Sequence, residues 1–588
     1  MTKPLDHTKS ATITVFCNDK EINYNIHSIE VDKAVNRLAA ARIILSDTKV
    51  SETDDFIPGA KIKIEAGYGV QNSVIFEGLV VKCVLKNLQR GAPSLIADCR
   101  DAAYRMTLES KNAIFYNQTD SDLISRLAKD YDLGVRASET ELAHKVLVQY
   151  QVSDWEFALN RAMCSGKYLY TDDGTLVVAS PDTRAKEKLT LRPDHNMIEF
   201  EAVLESRYQL PQSSGTFWDP GEQQLVEARA QVPATAQPGE DQKGEDQKRE
   251  KDEGGNITSM KLAALGKQHG EVMRLSGNYP SAELKAITTA RMLQSHLSKI
   301  RGRIRHQGTF QVKPGDMVKL EKISKRFDGK AFVSGIRHTI DQSNWETDIQ
   351  IGMSEEWISQ IRPSNTSNQG YRLIPPIEGL HIGVVTGLTG DPLAEQRIQV
   401  RVPVLDGEKE GIWARLAVEY AGSERGMVFR PEIGDEVILG FLQGDPRQAI
   451  ILGGLHSSKR TAPISDANGQ NEQKGIITRA GMKILFDEQR KSVNIESPGG
   501  KSMAINDLEG KVIIKDENNN QLIMAKEGMK LNATGNLDIN CAGSLSIKAP
   551  SVQITGADFN CQASNVMMNG NASVALTGGS VTIIPPPN

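Results

Sequence analysis

The sequence predicts a mainly β fold with minor α content, and three observations carry that prediction. Short runs of alternating apolar and polar residues recur along most of the 588 residues, divided by Gly, Pro and Asn turns. Helical periodicity is confined to three segments. Past residue 484 apolar pairs return at a nearly constant interval, the signature of a repeat rather than of a globular core.

Composition frames the rest. A chain of this length with 39% hydrophobic residues suits several domains with ordinary cores. The 69 basic and 74 acidic residues leave a formal charge of −5, so no overall field gathers nucleic acid or an anionic membrane. MTKPLDHTKS has no apolar stretch behind it and no apolar run reaches bilayer length, so synthesis in the cytoplasm without a signal peptide is the expectation. Cys17, Cys83, Cys99, Cys164, Cys541 and Cys561 lack CxxC spacing and fit reduced thiols.

In chain order, residues 11–100 read as a small β domain through ATITVFC, KIKIEAGYG, SVIFEGLVVKCVLKN and PSLIADCRD. Two helices follow. TDSDLISRLAKDYDLG is expected to open at Thr119 or Asp120 and close at Gly134; SDWEFALNRAMCSG opens at Ser153 or Asp154 and closes at Gly166. Composition shifts at 221–256, where PGEDQKGEDQKREKDEGG (238–255) holds no apolar residue, and a disordered insertion is expected. SAELKAITTARMLQSHLSKIRG (281–302) reads as an amphipathic helix.

One phrase repeats. FIPGAKIKI…VIFEGLV (56–80) and VKPGDMVKL…AFVSGIR (312–337) each set a Pro-Gly turn, Pro58-Gly59 or Pro314-Gly315, before a strand, and a glycine, Gly78 or Gly335, in the next strand. RPEIGDEVILGF…AIILGGL (430–455), turning at Pro431 and Gly434, is a looser third copy. The first two copies predict related β-barrels within a hub of residues 1–370. If three such chains assemble, six similar barrels form a ring of approximate sixfold symmetry that fits a hexameric partner. Residues 375–460 alternate short strands with turns, including Gly444-Asp445-Pro446, and suggest an OB-like barrel forming a neck. It lacks a basic, aromatic face, so an adaptor is expected and no nucleic acid.

The tail, 475–588, can be indexed. Leu537/Ile539, Leu545/Ile547, Val552/Ile554, Phe559/Cys561, Val566/Met568, Val574/Leu576 and Val581/Ile583 step by 8, 7, 7, 7, 8 and 7 residues. Each unit is expected to be a strand showing its apolar pair to one side, and one such strand encloses no core. Seven units make too few coils for a single-chain solenoid, whereas three chains about one axis close every pair against the other two. A C-terminal intertwined trimeric β-helix follows, about 50–60 Å long if a dozen layers stack.

Reactive motifs are missing. In SPGGKS (497–502) Ile495 stands where a phosphate loop needs its first glycine, so a turn is expected. Neither HExxH nor GxSxG occurs, the ten histidines show no metal spacing, and Asp54-Asp55 and Asp172-Asp173 read as turn residues. The expectation is a non-enzyme with no catalytic residue, cofactor or metal.

YQVSDWEFALNRAMCSGKYLYTDDGTLVV (150–178) resembles the hub segment of VgrG-type spike proteins of contractile injection systems, which comprise type VI secretion machines, extracellular particles and phage baseplates. IGVVTGL…AIILGGLH (382–456), with its Pro-x-x-Gly-x-Glu-Val and Gly-Asp-Pro turns, is similar to the family's OB-like neck, and the tail resembles its triple-stranded β-helix. The resemblance implies a homotrimeric membrane-puncturing spike. Its implied partners are a hexameric inner-tube protein, baseplate proteins, a PAAR-type tip protein at the C-terminal end, effector cargo and, transiently, a target membrane. Such a chain ends extracellular or inside the target. Many members carry a further effector domain, for which no span of this sequence is left, and the 221–256 insertion has no counterpart. Two other readings remain: a trimeric receptor-binding fibre and a hub-borne cell-wall hydrolase.

Overall fold

Seven strands open the fold: β1 (Ala11–Cys17), β2 (Lys20–Glu21), β3 (Ile26–Ala34), β4 (Ala40–Ser46), β5 (Lys61–Tyr68), β6 (Gln71–Lys86) and β7 (Ser94–Arg100). Alternate residues, among them Ile29, Val31, Ile43, Ile62 and Ile64, are fully buried in one cluster, as a two-residue period requires. This computed structural model describes residues 10–582 apart from 48, 50–53, 70, 87–92, 231–253, 267–269, 342–343, 356–375, 406–409 and 466–467. The chain divides into two units, Met1–Ser457 and Ser458–Asn588.

A mixed module follows: β8 (Ser110–Thr119), α1 (Asp120–Lys129), β9 (Gly134–Ala137), β10 (Ala143–Ser153), α2 (Asp154–Cys164), β11 (Tyr168–Asp172) and β12 (Thr175–Ala179). Thr119 Oγ1 accepts the Asp122 N–H at 3.1 Å, and Ser153 with Glu156 forms a complete capping box, so both helix starts fall where the sequence puts them. Gly134 does not close the first helix. Asp132 supplies the left-handed residue (φ 59°) and Gly134 already begins β9, whereas Gly166 (φ 71°) does follow α2.

Next come β13 (Leu189–Leu191), β14 (Glu199–Leu204), β15 (Ser213–Asp219), β16 (Gln224–Arg229), α3 (Ser259–Gly266), β17 (Glu271–Leu275), α4 (Ser281–Leu297), β18 (Ile300–Gln307), β19 (Met317–Leu320), β20 (Gly329–Asp341) and β21 (Asn344–Ile351). The expected 221–256 insertion is too wide. Gln224–Arg229 pairs with β15, Lys299 Nζ donates to the Gly254 carbonyl, and only 231–253 lies outside the described residues. The amphipathic helix is too long as read: it ends at Leu297, and Ile300, inside the expected 281–302, starts β18 because IRGRIRHQ alternates with period two.

The two Pro-Gly phrases sit in matching strand arrangements. Strands β3-β4-β5-β6-β7 and β14-β18-β19-β20-β21 share order and pairing, with β15–β17, α3 and α4 inserted in the second copy after β14. Both copies bulge at one place, between Val80 and Lys82 against β7 and between Val333 and Gly335 against β21. The two lobes fuse through β3 and β20, paired antiparallel from Gly335–Ala34 to Asp341–Ser28, into one 13-stranded sheet. Gly78 and Gly335 are not equivalents: one lies two residues before the bulge valine and the other two after it.

The neck comprises β22 (His381–Gly387), β23 (Ile398–Arg401), β24 (Ile412–Leu416), β25 (Ala421–Gly422), β26 (Arg425–Gly426), β27 (Glu436–Phe441) and β28 (Ala449–Gly454). Five of them close a barrel in the order β22-β23-β24-β28-β27. Its core takes in Ile114 of β8 and Val148 of β10, so hub and neck share apolar packing.

In the second unit β29 (Gln473–Ile477), β30 (Lys483–Asp487), β31 (Ser492–Glu496), β32 (Ser502–Asn506), β33 (Lys511–Lys515), β34 (Gln521–Ala525) and β35 (Gly528–Asn532) form an antiparallel meander. SPGGKS is the turn between β31 and β32, with Gly500 at φ 86°. No residue from 533 to 582 pairs in a strand within the single chain.

Candidate interaction surfaces

The Pro-Gly turns form one device, used three times. Gly59 donates to the Val80 carbonyl at 2.8 Å while the Val80 N–H returns to Ala60 O at 2.9 Å; Gly315 and Val333 with Asp316 repeat this at 2.8 and 2.9 Å. Gly434 and Val385 with Asp435 repeat it at 2.8 and 3.0 Å. The glycines stand at φ 98°, 92° and 86°, where a side chain is strained. The third copy differs in topology, because its clasp grips β22, earlier in the chain, instead of the following strand. Each turn pins two strands of a lobe or of the barrel; Pro58 and Pro314 preset the backbone entering the glycine, where the third turn has Ile433.

Asp172 and Asp173 do sit in the β11–β12 turn, yet their side chains tie the lobes together, which turn chemistry alone does not reveal. Asp173 Oδ1 meets Lys33 Nζ of β3 at 2.7 Å, and Asp172 meets Lys313, in the second Pro-Gly turn, at 2.9 Å and Arg136 at 2.7 Å. Burial opposes ionisation of Asp172, but Lys313 and Lys33 outweigh it and hold its pKa below the usual carboxylate range.

A buried ionic cluster joins hub to neck. Arg447, in the β27–β28 connection, reaches Glu283 of α4 at 2.9 Å and Asp445 at 2.9 Å, and Asp445 also accepts the Tyr279 hydroxyl at 2.9 Å. Glu283 in turn lies 3.7 Å from Arg161 of α2, whose Nε donates to Asp120 at 2.7 Å; His144 Nε2 stands 2.9 Å from Arg161 Nη2. Burial disfavours the charged forms of Asp120 and Glu283, yet the guanidiniums win: Asp120 is held at about 2 by Arg161 and His144, and Glu283 is lowered chiefly by Arg447. Burial raises the Cys164 thiol to about 12, so it stays protonated. Gln448 completes the joint, accepting the Asn278 N–H at 3.0 Å and donating to the Asn278 carbonyl at 2.7 Å. Sequence reading placed Gly444, Asp445 and Pro446 in a turn, which is correct: Gly444 stands at φ 73° and its carbonyl accepts the Ile377 N–H at 2.8 Å. It missed the ionic contacts of Asp120, Arg161 and Glu283, charges on helices with apolar faces, and of Arg447, a charge in a turn.

The apolar pairs of the meander lie on one face. In the meander, register stacks Ile484 on Ile495, Met503, Ile514, Leu522 and Leu531, and Phe486 on Val493, Ile505, Val512, Met524 and Met529. Ile484, Phe486, Ile495, Met503, Ile505 and Ile514 remain 38–45% exposed. Leu537, Ile539, Leu545, Ile547, Val552, Ile554, Phe559, Val566, Met568, Val574, Leu576 and Val581 are 49–69% exposed, Cys561 is exposed as well, and Ile583 lies outside the described residues. Among the described residues no cluster of three His, Cys, Asp or Glu side chains could hold a metal, and no helix is long and apolar enough to cross a membrane.

With this geometry in place, sequence comparison assigns the N-terminal half. Residues 7–342 match the Alg8 N-terminal domain family. The chain belongs to that family. Residues 381–456, the closed barrel, match the Type VI secretion system/phage-baseplate injector OB domain. The chain is related to VgrG-type spike proteins: it is 38% identical over 98 residues to Vibrio cholerae type VI secretion system spike protein VgrG3, covering 16% of this chain and 10% of the relative. It is 27% identical over 223 residues to Pseudomonas aeruginosa spike protein VgrG1b, covering 35% and 29%. The chain thus spans only 10% and 29% of these curated relatives. In structure, a chain of the Francisella PdpA–VgrG complex superposes with a TM-score of 0.54 at 9% identity over 90% of this chain and 88% of that one, a likeness of fold.

Proposed function

We propose that the chain is the homotrimeric spike of a contractile injection machine, with a hub seated on a hexameric inner-tube protein and baseplate proteins and a needle formed by the three tails. Its work is mechanical: the sheath drives it through a target membrane, and catalysis has no part in the stroke. The observation that carries this reading is the unmet burial of the tail. Two columns of Ile, Val, Leu, Met and Phe run down one face of the meander, and beyond it the apolar pairs recurring every seven to eight residues stand exposed. Exposed apolar surface of this extent requires a covering partner, and a repeat without in-chain neighbours is best covered by its own copies.

The duplicated lobes support the same stoichiometry, since three chains supply six similar lobes for a sixfold tube. An outer tip protein of the PAAR type would cap the three tails, and effector cargo would travel with them. The chain is made in the cytoplasm and leaves the cell with the particle. Light scattering on the purified chain tests the core of this reading: a mass near three times 64.4 kDa is expected, and a monomer would overturn it.

A further inference from the structure

We infer that neighbouring chains join hub to hub by antiparallel pairing of β6 with β14 of the next copy, with Lys86 opposite Glu201. This rests on the trimer proposed above and supplies its seam. Within one chain the lobes are joined where β20, released by β19 at Phe332, is taken up by β3 from Gly335 onward. The first lobe repeats the handover and leaves it unfinished: β5 releases β6 at Leu79, and residues 80–86 have β7 on one edge and, among the described residues, no strand on the other. The second lobe holds the missing half. Its β14 corresponds to β3, pairs among the described residues with β18 alone, and presents a free edge.

The shared bulges fix the register. Val80 corresponds to Val333, so Cys83, Val84, Leu85 and Lys86 take the places of Ile336, Arg337, His338 and Thr339. On the other strand Glu30, Val31, Asp32 and Lys33 correspond to Glu201, Ala202, Val203 and Leu204, because Arg42 opposite Glu30 matches Arg303 opposite Glu201. Transferring the observed β20–β3 pairs sets Cys83 against Leu204, Val84 against Val203, Leu85 against Ala202 and Lys86 against Glu201. Burial agrees. Ile336 and His338 are 4% and 1% exposed, while Leu85, which takes the place of His338 in the unfinished seam, is 50% exposed. Charge agrees as well, since the seam meets basic with acidic and aligns Leu and Val with Ala and Val. An edge strand of this kind, uncharged at Val84 and Leu85, is a template for another strand.

The test uses the native thiol of Cys83 in the full chain. The Leu204→Cys variant is oxidised and run without reductant: covalent dimers and closed covalent trimers are expected, absent with Cys83→Ser added, and weaker when the second thiol is introduced by Val203→Cys, which faces the other side of the sheet. Lys86→Glu should raise the trimer dissociation constant at least tenfold and Lys86→Glu with Glu201→Lys should restore it. A trimer by mass with no disulfide between Cys83 and the thiol introduced by Leu204→Cys, or no charge-swap rescue, overturns the seam and leaves the trimer standing; a monomeric wild type overturns both.

Discussion

Replacing Arg447 by Met should cost about 3–5 kcal/mol, because it leaves Glu283 and Asp445 as buried carboxylates without their shared cation. The guanidinium makes contacts of 2.9 and 3.2 Å to Glu283 and of 3.1 and 2.9 Å to Asp445, and stands 5.3 Å from the Tyr279 ring centroid. Methionine keeps the packing and loses all of these. Glu283 would retain only Arg161 at 3.7 Å and His144 at 3.8 Å, too distant to replace two direct hydrogen bonds. Urea unfolding of the full chain followed by tryptophan fluorescence reads the loss, since Trp413 lies in the neck barrel and Trp218 in the adjoining hub strand β15.

The pH dependence makes the test sharper. In the wild type Glu283 and Asp120 have lowered pKa values, so their contribution is full above the ordinary carboxylate range and falls away as pH drops through the folded values, about 2 for Asp120. In Arg447→Met the Glu283 pKa should rise above the ordinary range, so stability should increase as pH falls from about 7 towards about 5, a window in which the wild-type contribution of these carboxylates is flat. Adding Glu283→Gln to the Arg447→Met variant should recover part of the loss. A variant within about 1 kcal/mol of wild type, with an unchanged pH slope, would refute the claim that this cluster fastens neck to hub.

Three further outcomes follow from the geometry. Gly315→Ala should destabilise more than Gly59→Ala in thermal unfolding: both are left-handed and cost about 1 kcal/mol for that alone, but a Cβ at Gly315 also collides with Tyr168 Oη while Gly59 is open on all sides. Ser153→Ala should cost about 1 kcal/mol by removing one half of the capping box of α2, and Ser153→Asp should restore most of it. Leu545→Asp should raise the trimer dissociation constant read by light scattering, the hub seam remaining, and a trimer of normal stability would contradict the needle assignment.

What the sequence made legible was local and periodic. Alternation located the strands, Thr119 and Ser153 announced helix starts, and the Pro-Gly phrases fell on turns with the same hydrogen-bonded clasp at Gly59 and Gly315. The Gly78–Gly335 match misled because each glycine answers a different neighbour: a Cβ at Gly78 would strike the Arg100 carbonyl, and one at Gly335 would press on Ala34 and Gln350. The helix beginning at Ser281 was overextended because Ile300 satisfies the helical stripe and the following strand alike. The ionic cluster stayed invisible for a different reason. Asp120, Arg161, Glu283 and Arg447 are far apart in sequence, and a charge on a helix reads as solvated until tertiary packing buries it.

The differences between the two lobes bear on why such a ring would close at three chains instead of growing from separate lobes. In the intrachain seam Arg337 stands 3.8 Å from both Glu30 and Asp32, an ion pair made between strands that are covalently tethered. At the corresponding positions the free edges carry Val84 and Val203, and the opposite charges sit two residues along at Lys86 and Glu201. A β6 edge therefore mismatches the chain's own β3, where Lys33 would face Cys83 and Asp32 would face Val84, and matches β14. Each chain consequently offers one edge of each kind, and a head-to-tail contact between unlike edges closes as a ring when its rotation divides the circle. Two lobes per chain in a six-lobed ring make that rotation a third of a turn.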